Sequence, residues 1–128
     1  MTVFLDAHVL FWAIYIPERL SEYVRALIRT RKTVRLVSEA TQWEMLNKVG
    51  RGKVPFSGSS VPDVAQRIRD LEVSFVPILQ EDTIAAAMLP YHHSDPFDRV
   101  LIAQSQRLDV PIITVDEKFA AYGVPTIW

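Results

Sequence analysis

Asp6, Glu44, Asp98 and Asp116 stand where a carboxylate site would need them. Asp6 follows a short apolar, β-branched stretch, residues 2–5, and Asp116 follows another, residues 111–115. Glu44 lies one to two turns into a helical stretch after a third such segment, residues 33–38. Asp98 falls in the first turn of a helix opened by Pro96. If the apolar segments are strands of one parallel sheet, all four acids reach its carboxyl edge. Converging carboxylates repel one another, so they must be protonated, ion-paired or bound to cations. Oxygen ligands without cysteine suit hard cations such as Mg2+ or Mn2+. Two such ions about 3.5–4 Å apart can stabilise both the attacking and the leaving oxygen of phosphodiester hydrolysis.

Each acid also has a purely local use. Asp6 and Asp116 could cap the turns that follow them. Thr41-x-x-Glu44 matches a capping box, and Asp98 suits a helix dipole. The metal reading rests on all four falling at one edge. Asp95-Pro96 is an N-cap followed by a good first helical residue, which makes Asp95 structural first and an auxiliary acid second. Lys48, four residues after Glu44, is either an ordinary i,i+4 partner or a phosphate-holding cation. Thr114 and Ser38 could steady the acids by hydrogen bonds, or simply satisfy nearby backbone. His8, His92 and His93 match no zinc spacing, and an all-carboxylate site needs none of them; they read as loop or surface histidines. Gly50-Arg51-Gly52-Lys53 lacks the first glycine and the final Ser/Thr of a phosphate loop and is rejected as one.

The elements that must position these residues alternate. Strands are expected at residues 2–5, 33–38, 73–78 and 111–115, with a last edge strand at 125–128. Between them lie helical stretches at 9–16, 39–48, 81–89 and 96–108, and a helical turn at 117–122. Two further apolar stripes have helical spacing: Leu20, Val24, Leu27 and Ile28, and then Val61, Val64, Ala65, Ile68 and Leu71. Residues 50–62, rich in Gly, Ser and Pro, read as a long connection within one fold. Such alternation argues for a parallel sheet covered on both faces, whose ligands bind beyond the carboxyl ends of the strands.

Composition narrows the classes further. A chain of 128 residues, 49% hydrophobic and 23% charged, fits one globular domain, 1–128, rather than a disordered or fibrous protein. The absence of cysteine removes disulfides, thiol catalysis and cysteine zinc sites. No secretory signal pattern follows Met1, and the longest apolar run, residues 9–16, falls short of the ~20 a membrane span needs. A cytoplasmic protein is the expectation. The net charge of −1 divides into −2 for residues 1–18, +6 for 19–53 and −5 for 54–128. The basic segment could track phosphates, although such residues also serve as an ordinary solvated face.

Four segments, in order and spanning nearly the whole chain, carry a family likeness: Phe4 to Trp12, Ser38 to Lys48, His93 to Gln104, and Pro111 to Asp116 with Phe119 and Tyr122. Through them the chain resembles PIN-domain ribonucleases, specifically the toxin components of VapBC-type toxin–antitoxin pairs. The stretch from Asp95 to Gln104 is the specific part. The resemblance implies a PIN-like three-layer α/β/α sandwich with a central, mostly parallel sheet of four to five strands. It implies a Mg2+- or Mn2+-dependent endoribonuclease whose metal-binding acids are Asp6, Glu44, Asp98 and Asp116, with Asp95 auxiliary. It also implies an RNA substrate, a homodimer and a cognate VapB-like antitoxin, for which the apolar run 9–16 is either partner surface or core. Ala7 stands where the family commonly has Thr or Ser, which removes one hydroxyl beside the first acid, and Ser105 replaces a usual Ala. Two other classes remain: a PIN-fold binding module without catalysis, and a receiver-like signalling domain. The latter would need an acidic pair after the first strand and an Asp ending the third, and neither is present.

Overall fold

The computed structural model describes residues 1–53 and 60–128. Within them β1 (Thr2–Leu5), β2 (Val34–Ser38), β3 (Ser74–Val76), β4 (Ile112–Ile113) and β5 (Thr126–Ile127) form one sheet in the order β3-β2-β1-β4-β5. Every pairing is parallel. The first strand is therefore the centre of the sheet, and the order reverses there. A receiver-like domain would instead follow the order 2-1-3-4-5.

Alternation along the central strands divides the core in two. In register, Phe4 lies beside Leu36 on one side and Ile112 on the other. These three share a cluster with Leu101, Ile102 and Phe119. Their neighbours Val3, Leu5, Val37 and Ile113 point the opposite way, into a cluster with Val9, Leu10, Val24, Ile28, Met45, Val64 and Ile68. The second cluster is built by α1 (Ala7–Tyr15), α2 (Glu22–Arg29), α3 (Glu39–Gly50) and α4 (Val61–Asp70). On the first side lies α6 (Pro96–Leu108), packed against α5 (Gln80–Met88). The result is the three-layer sandwich expected from the alternation.

The apolar run 9–16 is mostly core. Val9 and Leu10 are buried, and Phe11 to Tyr15 are part-buried against the same cluster. Among the described residues, no helix is long and apolar enough to cross a membrane.

Several expected boundaries shift. The third strand is three residues rather than six, and α3 runs through Gly50 instead of stopping at Lys48. The connection expected at 50–62 narrows to 51–60, of which 54–59 lie outside the described residues. The Thr41-x-x-Glu44 capping box does not form: Ser38 caps α3 by accepting from the Ala40 N–H at 3.1 Å, which leaves Glu44 two turns further in.

One ion pair ties α5 to α6. Asp82, with a side chain only 1% exposed, accepts from Arg107 Nε at 2.6 Å and Nη2 at 3.0 Å. It also accepts from the Leu79 N–H at 3.0 Å and from Gln104 Nε2 at 3.3 Å. Burial pushes its carboxyl up, but these hydrogen bonds outweigh burial and hold it below its ordinary value. A depressed carboxyl contributes stability above its unfolded pKa that is lost as the pH falls through the folded one. Replacing Asp82 by Asn should cost about 2–3 kcal/mol in urea unfolding at neutral pH, the range for hydrogen bonds to a charged group. The difference between variant and wild type should shrink on acidification; a difference constant with pH would sink this account.

Candidate metal centre

Asp6 and Asp116 are delivered to the carboxyl edge by the strands before them and begin the segments after them. At the end of β1, Asp6 turns the chain into α1: its Oδ1 accepts the Val9 N–H at 2.8 Å. Its other oxygen accepts the hydroxyl of Thr114, which follows β4. The same hydroxyl oxygen accepts the Asp116 N–H at 3.0 Å, so one threonine links the acids at two adjacent strand ends. Asp116 in turn caps the 3-10 turn Glu117–Tyr122 through the Lys118 N–H at 2.9 Å. Asp95 caps α6, accepting from Phe97 N–H at 2.8 Å and Asp98 N–H at 3.3 Å, and so sets Asp98 in the first turn. Glu44 projects from α3 and is 5% exposed, with Lys48 Nζ 2.8 Å from its carboxylate.

Asp98 sits where these charges converge. Burial comes first, and the carboxylates of Asp95, Glu44, Asp6 and Asp116 add to it; together they raise its pKa from 3.8 to about 8. Asp6 is also raised, by burial against the opposing pull of its two hydrogen bonds. One oxygen each from Glu44, Asp95 and Asp98 lie within 4.8 Å of one another. The same holds for His93 Nε2 with oxygens of Asp98 and Asp116. Oxygen donors, no thiolate and a surplus of negative charge fit a hard divalent cation.

The predicted residues do not all arrive together. The four acids and Asp95 converge, Thr114 binds Asp6, and Lys48 binds Glu44. Ser38 caps α3, and among the described residues its side chain makes no hydrogen bond to the acids. His8 and His92 are exposed, as expected. His93 is not a surface histidine: it is 8% exposed, and its Nε2 lies 2.8 Å from Asp116 and 3.0 Å from Asp98. Zinc spacing was the wrong filter for it. Its place two residues before the N-cap Asp95 was the usable signal, since its Nδ1 accepts the Asp95 N–H at 3.2 Å. Beside Glu44 an open pocket is lined by Ala7, His8, Phe11, Met45, Lys48 and Lys53.

The chain belongs to the PIN domain family, which its sequence matches over residues 3–125. Among solved structures it is similar to VapBC2 from Rickettsia felis, described as bound to a DNA fragment from its promoter. The TM-score is 0.74 at 11% identity, covering 99% of this chain and 98% of that one. It is also similar to VapC20 of Mycobacterium tuberculosis, described as a sarcin–ricin loop cleaving toxin, with TM-score 0.65 at 13% identity and 95% of each chain covered. A third is FitAcB from Neisseria gonorrhoeae, with TM-score 0.65 at 15% identity, covering 98% of this chain and 96% of that one. A search of curated proteins finds no match.

The raised Asp98 makes cation-free stability depend on pH in a definite direction. Between 3.8 and about 8 the folded carboxyl holds a proton that the unfolded chain releases. Stability of the chelator-treated protein should therefore fall as pH rises through that window, no more steeply than about 1.4 kcal/mol per pH unit for one proton. Asp98→Asn should flatten the dependence and raise Tm at the alkaline end. Mn2+ should raise the wild-type Tm more at pH 8 than at pH 5. Equal Tm values across the window, by scanning calorimetry, would refute this.

Proposed function

We propose that residues 1–128 form a single PIN domain acting as a metal-dependent endoribonuclease, the toxin of a toxin–antitoxin pair. The observation that carries this reading is the grouping of Glu44, Asp95 and Asp98 oxygens within 4.8 Å of one another, with Asp98 also grouped with Asp116 and His93, at the carboxyl edge of the sheet. Asp6, Glu44, Asp98 and Asp116 are the ligands for Mg2+ or Mn2+, with Asp95 auxiliary. When bound, such a cation supplies charge neutralisation for an RNA phosphate and activates water for attack.

The chain's own residues do the rest. Thr114 and the Val9 N–H fix both oxygens of Asp6, so its carboxylate is oriented before substrate arrives. Lys48 offsets the charge of Glu44 in the free protein and stands where it can meet a phosphate oxygen. Lys53 shares its pocket, beside the apolar side chains of Phe11 and Met45. Similarity to VapBC2, VapC20 and FitAcB supports a VapB-like antitoxin as partner and RNA as substrate. A homodimer in the cytoplasm completes the reading.

RNA cleavage should require Mn2+ or Mg2+ and stop with chelator. Asp6→Asn and Asp98→Asn should each lower the rate roughly hundredfold or more, since even the outer partners of metal ligands cost 10–100-fold. Lys48→Ala should instead weaken RNA binding and lower its salt dependence by about one phosphate contact. Cleavage that survives both acid substitutions would overturn the site. Mn2+ binding without any cleavage would point to an inactive binding module.

A further inference from the structure

The two ring nitrogens of His93 are not free to exchange roles. The backbone N–H of Asp95 donates to Nδ1 at 3.2 Å, so Nδ1 presents a lone pair and carries no proton. In the neutral ring the proton is then on Nε2. That nitrogen lies 2.8 Å from Oδ2 of Asp116 and 3.0 Å from Oδ2 of Asp98. The Nε2–H donates to Asp116, after β4, and Asp98, in the first turn of α6, lies beside it. A histidine that ligates a cation through Nε2 must offer a lone pair there and carry its proton on Nδ1. Here that proton would face the Asp95 N–H.

We infer that His93 is a positioning residue and not a cation ligand: its Nε2–H holds Asp116 in place beside Asp98 and leaves the remaining lone pairs of Asp116 for the cation. The surrounding chain is built to hold the ring in that role. The His93 N–H donates to the Tyr122 hydroxyl at 2.7 Å, which itself donates to the Pro90 carbonyl at 2.7 Å. The His93 carbonyl accepts from Arg99 Nη1 at 3.0 Å. Buried Arg99 also donates to the carbonyls of Ala86 and Leu89, both at 2.7 Å, and so staples the end of α5 to the segment that carries His93. Phe119 meets the imidazole edge-on, with ring centres 5.7 Å apart. Neither the backbone nor the ring of His93 has an easy second position.

The protonation pattern is testable without any activity. Nitrogen-15 NMR of histidine-labelled protein at neutral pH should show His93 as the Nε2–H tautomer, unchanged by saturating Mg2+. Spectra of His8→Gln and His92→Gln, which remove no hydrogen bond to His93, assign the three rings by elimination. An Nδ1–H tautomer, a doubly protonated ring or a switch of tautomer on adding Mg2+ would overturn the inference.

A second arm rests on the cation-site reading above. By calorimetry, His93→Ala should weaken Mn2+ binding about 10–100-fold. His93→Gln, whose amide can still donate, should recover part of the loss. Wild-type affinity in a folded His93→Ala would overturn the inference as well. If the wild type itself takes up no Mn2+, the proposed function fails, and the tautomer spectra still decide the role of His93.

Discussion

Repulsion among five carboxylates at one edge of the sheet is the constraint around which this fold is arranged. Asp6, Glu44, Asp95 and Asp116 all raise the cost of ionising Asp98. Left alone, such a cluster would spread or protonate. The chain counters it with donors placed on individual oxygens: Thr114 and the Val9 N–H on Asp6, His93 on Asp116, Lys48 on Glu44, and two helix N–H groups on Asp95. Most of these donors are local, but Thr114 reaches Asp6 and His93 reaches Asp116 from distant parts of the chain, so those two links hold only while the sheet keeps its register.

The acids at strand ends and helix starts therefore do two jobs at once. Asp6, Asp95 and Asp116 cap the segments that follow them, satisfying orphan backbone N–H groups. A capping oxygen still has a lone pair to spare, and its carboxylate is already turned towards the edge. This is why the local and the chemical readings of these residues, set against each other in the sequence, do not compete in the structure. Glu44 is the exception: with Ser38 as the cap, it has no part in starting α3 and lies buried in the middle of it.

Much of the architecture was legible because it depends on short-range patterning. Val3, Phe4 and Leu5 are apolar on both sides, which marks a central strand, and Pro96 after Asp95 marks a helix start to the residue. The sequence was less informative wherever long-range partners decide the outcome. The third strand is short because only Ser74, Phe75 and Val76 find a register partner in β2. His93 is buried rather than on the surface because its contacts are with residues 116 and 122, which no local spacing announces. Thr114 reaches Asp6 only because β1 and β4 pair, a contact that neither residue's local sequence fixes.

Net charge proves to be a poor guide to what the surface can bind. The +6 of residues 19–53 reads as one basic region in sequence, yet the fold divides it. Arg29, Arg31 and Lys32 are exposed where the chain enters the amino end of β2, opposite the acids. Arg35 is spent within the fold, donating to the Ile28 carbonyl at 2.7 Å and lying 3.9 Å from Glu72. Lys48 and Lys53 alone line the pocket beside Glu44. A phosphate chain approaching the acid cluster would therefore meet two nearby cations and whatever divalent charge the carboxylates hold. At an ionic strength where charges more than about 10 Å apart are screened, those nearby charges count and the distant arginines do not. If the cluster holds a divalent cation, as proposed, affinity for a polyanion at this edge would depend on its being loaded, and the two would be coupled through charge alone.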